Sequence, residues 1–163
     1  MPYYDDISAG YEELHGEEQR NKLRILAAEL DVKRDNKLLD VGAGTGMSAQ
    51  HFDCKWTGIE PSAGMIEHAT EQIILGKGEE LPFKDNQFDV VICVTALHNF
   101  DNPEKGLKEM IRVGKGKFGF SLLRSAHNHK ELVLMIKHNF NVLKHIEEEK
   151  DDIFICSRPG TQS

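Results

Sequence analysis

Cysteine is scarce in these 163 residues: only Cys54, Cys93 and Cys156 occur, with no CxxC or paired-histidine spacing around them. An odd count in strand-like apolar settings suits a reducing cytoplasm better than a disulfide framework, and the spacing gives no sign of a metal site. Long apolar runs are missing too. The richest, Val90–Val94, has the length of a buried strand and falls far short of the ~18 residues of a membrane span. The opening Met1-Pro2-Tyr3-Tyr4-Asp5-Asp6 is acidic and lacks the apolar core of a secretory signal. No internal repeat, low-complexity tract or Pro/Ser-rich linker breaks the chain, so one domain over residues 1–163 is expected. What is present, 39% hydrophobic and 29% charged residues, excludes a low-hydrophobicity disordered chain.

The net charge of −7 conceals a division. Residues 105–145 carry nine Lys/Arg against two Asp/Glu, a local +7, which leaves −14 for the remainder. Such a stretch is either a set of solvated helix faces or a basic surface for an anionic partner.

Hydrophobic spacing divides the chain into alternating elements. Residues 5–15 read as a short helix or arm, followed by a helix over Glu17–Glu29 with Leu23, Leu26, Ala27 and Leu30 on one face. Strands are expected at Lys37–Val41, Trp56–Glu60, Ile73–Leu75, Phe88–Thr95 and Lys117–Leu123. Helices are expected at Met47–Phe52, Ala63–Glu71 with Met65, Ile66 and Ala69 inward, Pro103–Val113 and Glu131–His138. Phe140–Ile146 and Ile153–Cys156 are separated by too few residues for a crossover and should form an antiparallel hairpin. The expected fold is therefore α/β: a seven-stranded, mostly parallel, Rossmann-like sandwich with an antiparallel C-terminal hairpin.

The first strand runs into Gly42-Ala43-Gly44-Thr45-Gly46, and eighteen residues after Gly42 the second strand ends in Glu60. Glycines permit a tight turn and close approach of a ligand to backbone N–H groups, while a carboxylate at that distance can take both hydroxyls of a ribose. Together these point to a nucleoside-type ligand. The third glycine of a dinucleotide fingerprint would fall on Met47, and no phosphate-binding GxxxxGK[ST] loop is present.

Leu38-Leu39-Asp40-Val41-Gly42-Ala43-Gly44-Thr45-Gly46 resembles motif I of the class I S-adenosylmethionine-dependent methyltransferases. Gly58-Ile59-Glu60-Pro61-Ser62 with Met65-Ile66, then Gly78-Glu79-Glu80-Leu81-Pro82-Phe83 and Phe88-Asp89-Val90-Val91, are similar to their following motifs. Leu97-His98-Asn99-Phe100, Pro103-Glu104 and Glu109-Met110-Ile111-Arg112-Val113 continue the type 11-like pattern. The resemblance spans about residues 3–124 and implies S-adenosyl-L-methionine as cofactor. It implies that Gly42, Ala43, Gly44 and Gly46 line the methionine and ribose portions, and that Asp40 braces the loop or meets the ammonium through water. It further implies Glu60 on the ribose hydroxyls, Pro61 along the adenine, Gly78 and Glu79 at the adenine edge, and Thr95 near the transferable methyl. Lys77 stands where many relatives have an acid, so backbone recognition would replace a side-chain contact there.

Methyl transfer from a sulfonium is an in-line displacement that positioning alone favours, and a base helps when the acceptor has a proton to lose. His98, just past the fourth strand, is the candidate base, with Tyr11 of an N-terminal arm or lid (residues 1–16) as a second catalytic candidate beside Tyr3, Tyr4 and His15. The other histidines, His127, His129 and His145 among them, read as surface residues. The fourth strand ends Val94-Thr95-Ala96-Leu97, without the Pro-Pro-aromatic signature of planar-nitrogen methylation, and no Pro-Cys pair marks a cysteine-adduct mechanism. A small-molecule acceptor is expected. A nucleic acid or protein reached through the 105–145 stretch with a partner subunit, a homo-oligomer, and a non-catalytic binding module are the alternatives.

Overall fold

The computed structural model describes residues 9–69 and 71–160, with side chains from Gly16 onward. A 22-residue helix, α1 (Ala9–Leu30), precedes strand β1 (Lys37–Val41). A 3-10 turn over Met47–His51 leads to β2 (Lys55–Glu60), the short helix α2 (Ala63–Glu67) and β3 (Ile73–Leu75). Strand β4 (Phe88–Val94), a 3-10 turn over Leu97–Asn99, α3 (Pro103–Val113) and β5 (Gly114–Leu123) follow. The chain then forms α4 (His129–Asn139), β6 (Asn141–Glu147) and β7 (Asp151–Ser157). The seven strands lie in the order β3-β2-β1-β4-β5-β7-β6. All pairs are parallel except those of β7, which runs antiparallel to both β5 and β6.

The central strands are apolar on both faces because both faces are covered. Leu38, Val90 and Ile92 join Leu23, Leu26, Leu30, Ile153 and Ile155 in a core on the α1 side. Leu39, Val91 and Cys93 join Leu107, Met110, Leu132, Ile136 and Phe154 under α3 and α4. At Gly119 of β5 a Cβ would come within 3.0 Å of both Leu26 and Leu30, so glycine lets α1 lie directly on the sheet.

The bounds of β2, β4, β5, α4, β6 and β7 shift by one to three residues from those expected, and three expectations change further. The helix over Glu17–Glu29 continues without a break back to Ala9, and residues 5–8 lie outside the described residues. Gly16 lies inside this helix, and its propensity cost of about 1 kcal/mol is small beside the burial of three leucines further along α1. The segment Met47–Phe52 is a 3-10 turn rather than an α-helix, entered through Gly46 at φ 88°. Helix α2 stops at Glu67 rather than Glu71, buries none of its residues and leaves Met65 exposed, so nothing holds further turns.

Candidate active site

In an open sheet, ligands bind at the carboxyl ends of the strands where the strand order reverses. Here β1 is followed outward by β2 and β3, while β4 returns to the other side of β1. The loops after β1 and β4 therefore flank one crevice. They touch: a Cβ on Gly42 would lie 2.6 Å from Ala96 Cβ. Gly42, Gly44 and Gly46 all take positive φ (80°, 59° and 88°), which L side chains rarely adopt. The loop is fastened from beneath, since the N–H groups of Gly42 and Ala43 both donate to Ile59 O at 2.9 and 3.0 Å. At Gly44 a Cβ would meet nothing within 4 Å, so that glycine faces open space.

Glu60 closes β2 with 8% exposure. Its Oε1 accepts from Gly44 N (2.8 Å) and its Oε2 from Ser62 N (3.0 Å), which fixes the carboxylate. Each oxygen keeps a further lone pair, enough for two ligand hydroxyls. Asp40, on β1, is buried and shaped from the other side: Ser48 Oγ donates to its Oδ2 at 2.5 Å, and Trp56 Nε1 donates to Ser48 Oγ at 2.8 Å. Its Oδ1 is buried with no hydrogen-bond partner among the described residues. Burial pushes the Asp40 carboxyl up to about 7; the Ser48 bond opposes this and the nearby Glu60 charge adds to it. A buried carboxylate of this kind is completed by a cationic ligand group.

A cleft of about 220 Å³ opens between these elements, lined by Gly42, Glu60, Pro61, Gly78, Glu79 and Phe100 among others. Gly78 is required there because a Cβ would strike the Phe100 ring at 2.4 Å. Glu79 Oε2 accepts from Asn102 N at 3.0 Å and ties this wall to the start of α3. Lys77 and Asp101 face each other at the rim, 3.7 Å apart. Five of the expected cofactor residues (Gly42, Glu60, Pro61, Gly78, Glu79) thus line one cleft, while Asp40, Ala43, Gly44, Gly46 and Thr95 are not among the lining residues.

Thr95, the residue just after β4, lies in the left-handed region, φ 49°, which is strained for a β-branched residue. Three bonds hold it: its N–H donates to Ser121 O (3.0 Å), Lys22 Nζ donates to its Oγ1 (3.0 Å), and its hydroxyl pairs with Ser121 Oγ (2.8 Å). Lys22 also forms a buried ion pair with Asp151, 3.0 Å long. This polar seam joins α1, β4, β5 and β7. His98, in the following 3-10 turn, is half-buried, and its Nδ1 has no partner among the described residues. Burial, then the neighbouring His127 and Lys22, push its pKa down against the pull of Asp151, so it is neutral at pH 7. The Tyr11 side chain, Tyr3, Tyr4 and the His15 side chain lie outside the described residues.

Sequence reading missed Lys22, Asp151, Ser48 and Ser121. A signal existed for Lys22, which stands one turn before Leu26 on the stripe that faces the sheet and so needs a buried partner. Nothing local marks Asp151. It is one acid in a charged turn until β7 docks beside β5.

A family model described as a methyltransferase domain matches residues 39–117. The chain is 32% identical over 125 residues to a demethylmenaquinone methyltransferase of Paenarthrobacter aurescens, covering 69% of this chain and 49% of that protein. It spans about half the length, or less, of the curated relatives it matches. Among solved structures, the PH0226 protein of Pyrococcus horikoshii superposes with a TM-score of 0.77 at 18% identity, over 97% of this chain and 99% of that one. A chain from the Haloferax volcanii complex between the Trm112 methyltransferase activator and its candidate methyltransferase gives 0.75 at 15% identity, over 93% and 95%. These two likenesses show the fold. The match to the methyltransferase-domain model runs across the glycine loop, β2 and β4, so in residues 39–117 the chain is similar to methyltransferase domains in sequence as well as in fold.

Proposed function

We propose that the chain transfers a methyl group from S-adenosylmethionine to a small-molecule acceptor. The observation that carries the reading is the pair of buried carboxylates beside the glycine loop. Asp40 presents an unpartnered buried oxygen, and Glu60 is fixed at the cleft with lone pairs to spare. That donor set fits a ligand with an ammonium group at one end and vicinal hydroxyls in the middle. Gly44 supplies open space for its close approach. Gly42, Ala43 and Gly46 shape the loop, and Pro61, Gly78 and Glu79 border the base. The cofactor supplies an activated methyl carbon on a sulfonium. Thr95 and His98 lie beyond it on the acceptor side, where His98, neutral and with a free ring nitrogen, accepts the proton the acceptor loses. Tyr11, whose side chain lies outside the described residues, is the second catalytic residue of this proposal. Holding the acceptor in line is worth roughly 7–11 kcal/mol of barrier, so the base contributes the smaller share. Free thiols at Cys54, Cys93 and Cys156 and the absence of a described helix long and apolar enough to cross a membrane support a cytoplasmic place.

Calorimetric titration with S-adenosylmethionine tests this. Glu60→Ala is expected to weaken binding by about 1–3 kcal/mol, the cost of leaving hydroxyls unmet. An unchanged affinity would remove Glu60 from the ribose. His98→Gln should keep cofactor affinity and lower turnover once an acceptor is found; the reverse pattern would remove it from proton transfer.

A second reading, a macromolecule methyltransferase with a partner subunit, is favoured by one observation. The β3 edge exposes Ile74 (39%) and Leu75 (61%) beside Met65 (45%), an apolar rim in a chain whose fold is also that of a protein solved with an activator. Turnover of small acceptors by the chain alone would set that reading aside.

A further inference from the structure

Four metal-ligating side chains meet on the sheet face opposite the Lys22 seam, outside the cleft. Neighbouring residues of a strand point to opposite faces, so Asp151 turns to α1 and Asp152 to α4. The register pairs Glu147 with Asp152 and His145 with Phe154, which puts all four on that second face. The His145 ring stacks on Phe154, centroids 4.3 Å apart and planes 17° apart, so its orientation is fixed. His129, the first residue of α4, comes down onto the same carboxylate. Asp152 is 4% exposed, and each of its oxygens meets an imidazole: Oδ2 with His129 Nε2 at 2.6 Å, Oδ1 with His145 Nε2 at 2.8 Å. One ligand atom from each of His145, Glu147 and Asp152 lies within 4.8 Å of the others.

We propose that His145, Asp152 and Glu147 form a binding site for a divalent transition-metal ion of the zinc type, which draws in His129 as a fourth ligand and so clamps the β6–β7 hairpin to α4. The claim is independent of the methyltransferase reading. Two imidazoles and two carboxylates make a borderline N/O set suited to Zn²⁺ or Co²⁺ rather than Mg²⁺ or Ca²⁺. Tetrahedral ligands at ~2.0–2.2 Å from zinc stand ~3.3–3.6 Å apart, so the imidazole–carboxylate contacts of 2.6 and 2.8 Å open by about 0.5–1 Å to admit an ion, while His129, outside the three groups that already lie within 4.8 Å of one another, moves in to complete the set. One feature opposes binding. Arg124 Nε lies 3.8 Å from Asp152 Oδ2, although that side chain is 44% exposed and has room to swing away.

The test uses the full chain stripped with a chelator, titrated with Zn²⁺ by calorimetry and with Co²⁺ by visible absorption. One equivalent should bind, with a tetrahedral Co²⁺ spectrum free of thiolate charge transfer and a rise in the thermal midpoint. His129→Ala and His145→Ala should each weaken binding at least tenfold. Glu147→Gln, an exposed and conservative change that keeps the fold, should weaken it severalfold. Arg124→Gln should tighten it by removing a competing positive charge, and His68→Ala on the far edge should leave it unchanged. The proposal is overturned by no saturable binding, by affinity that the His129, His145 and Glu147 variants leave intact, by loss of binding in His68→Ala, or by a thiolate spectrum that moves the ion to Cys54.

Discussion

Gly42 and Gly44 share a motif and a left-handed backbone, yet they answer to different neighbours. A methyl at Gly42 has to adopt φ 80° and also displace Ala96 Cβ from 2.6 Å, and neither group has rotamer freedom to yield. Gly42→Ala is expected to destabilise the fold by about 1–3 kcal/mol, read as a shift in denaturant midpoint. Gly44→Ala carries only the cost of φ 59°, about 1 kcal/mol, because its Cβ meets nothing. It should fold nearly as well and lose cofactor affinity, since the methyl would occupy space the ligand needs; equal stability losses in the two variants would contradict this. The third residue-scale case is Asp40. Its folded carboxyl titrates near 7 against an ordinary 3.8, so the unfolded chain releases that proton first. The stability Asp40 provides is thus complete below pH ~4 and is lost as pH rises to ~7, a cost on the order of a few kcal/mol. In thermal melts of the cofactor-free protein, Asp40→Asn should gain on the parent between pH 4 and pH 8. A gap that stays flat across that range would refute the argument. The glycines and both acids were legible as a motif. The orphaned oxygen and the Ser48–Trp56 relay beneath it were not, because they depend on β1 and β2 lying side by side.

Helix α1 is held to the sheet by leucines and by one buried charge. Lys22 and Asp151 have side chains only 8% and 5% exposed, so removing either partner strands the other in a site of low dielectric. Lys22→Met should cost about 3–5 kcal/mol, and adding Asp151→Leu should recover most of it, measured as a double-mutant cycle in denaturant. Additive losses would mean that the two charges do not depend on each other. Because Lys22 also holds the Thr95 hydroxyl, the single variant should loosen the turn after β4, on the side proposed for the acceptor. At this scale the elements with strong apolar patterns were readable: α3 and β3 have the expected bounds, and β4 differs by one residue. The weak ones were not. α2 carries inward-looking Met65 and Ile66 spacing, but no element covers it and it ends early. His129 and His145 read as surface residues, sixteen positions apart, until Asp152 of a third element falls between them.

For the molecule as a whole, the basic stretch 105–145 loses its apparent meaning on folding. Six of its nine cations meet acids or carbonyls from elsewhere or from their own helix: Lys108 with Glu104, Arg112 with Glu109 and Asp85, Lys115 with Asp89. Lys117 reaches Leu30 O and Asp31 O, Arg124 reaches Glu148 O and Asp152, and Lys144 reaches Glu29. The local +7 becomes mixed charge in space, which favours solvated faces over a nucleic-acid surface. Binding to single-stranded or transfer RNA is therefore expected to be weak at physiological salt, and charge reversal at Lys115, Lys117 and Arg124 should change it little. Tight binding that these reversals abolish, with a steep salt slope, would restore the anionic partner. By itself the sequence determined the alternation of strands and helices, the antiparallel end, the glycine loop and its distant acid, because each rests on short-range periodicity or on backbone angles that few residues adopt. Only the tertiary structure decided which charges are partners, which glycine faces open space, and which histidines share a carboxylate. Those properties belong to atoms far apart along the chain, and strand order alone brings them within bonding distance.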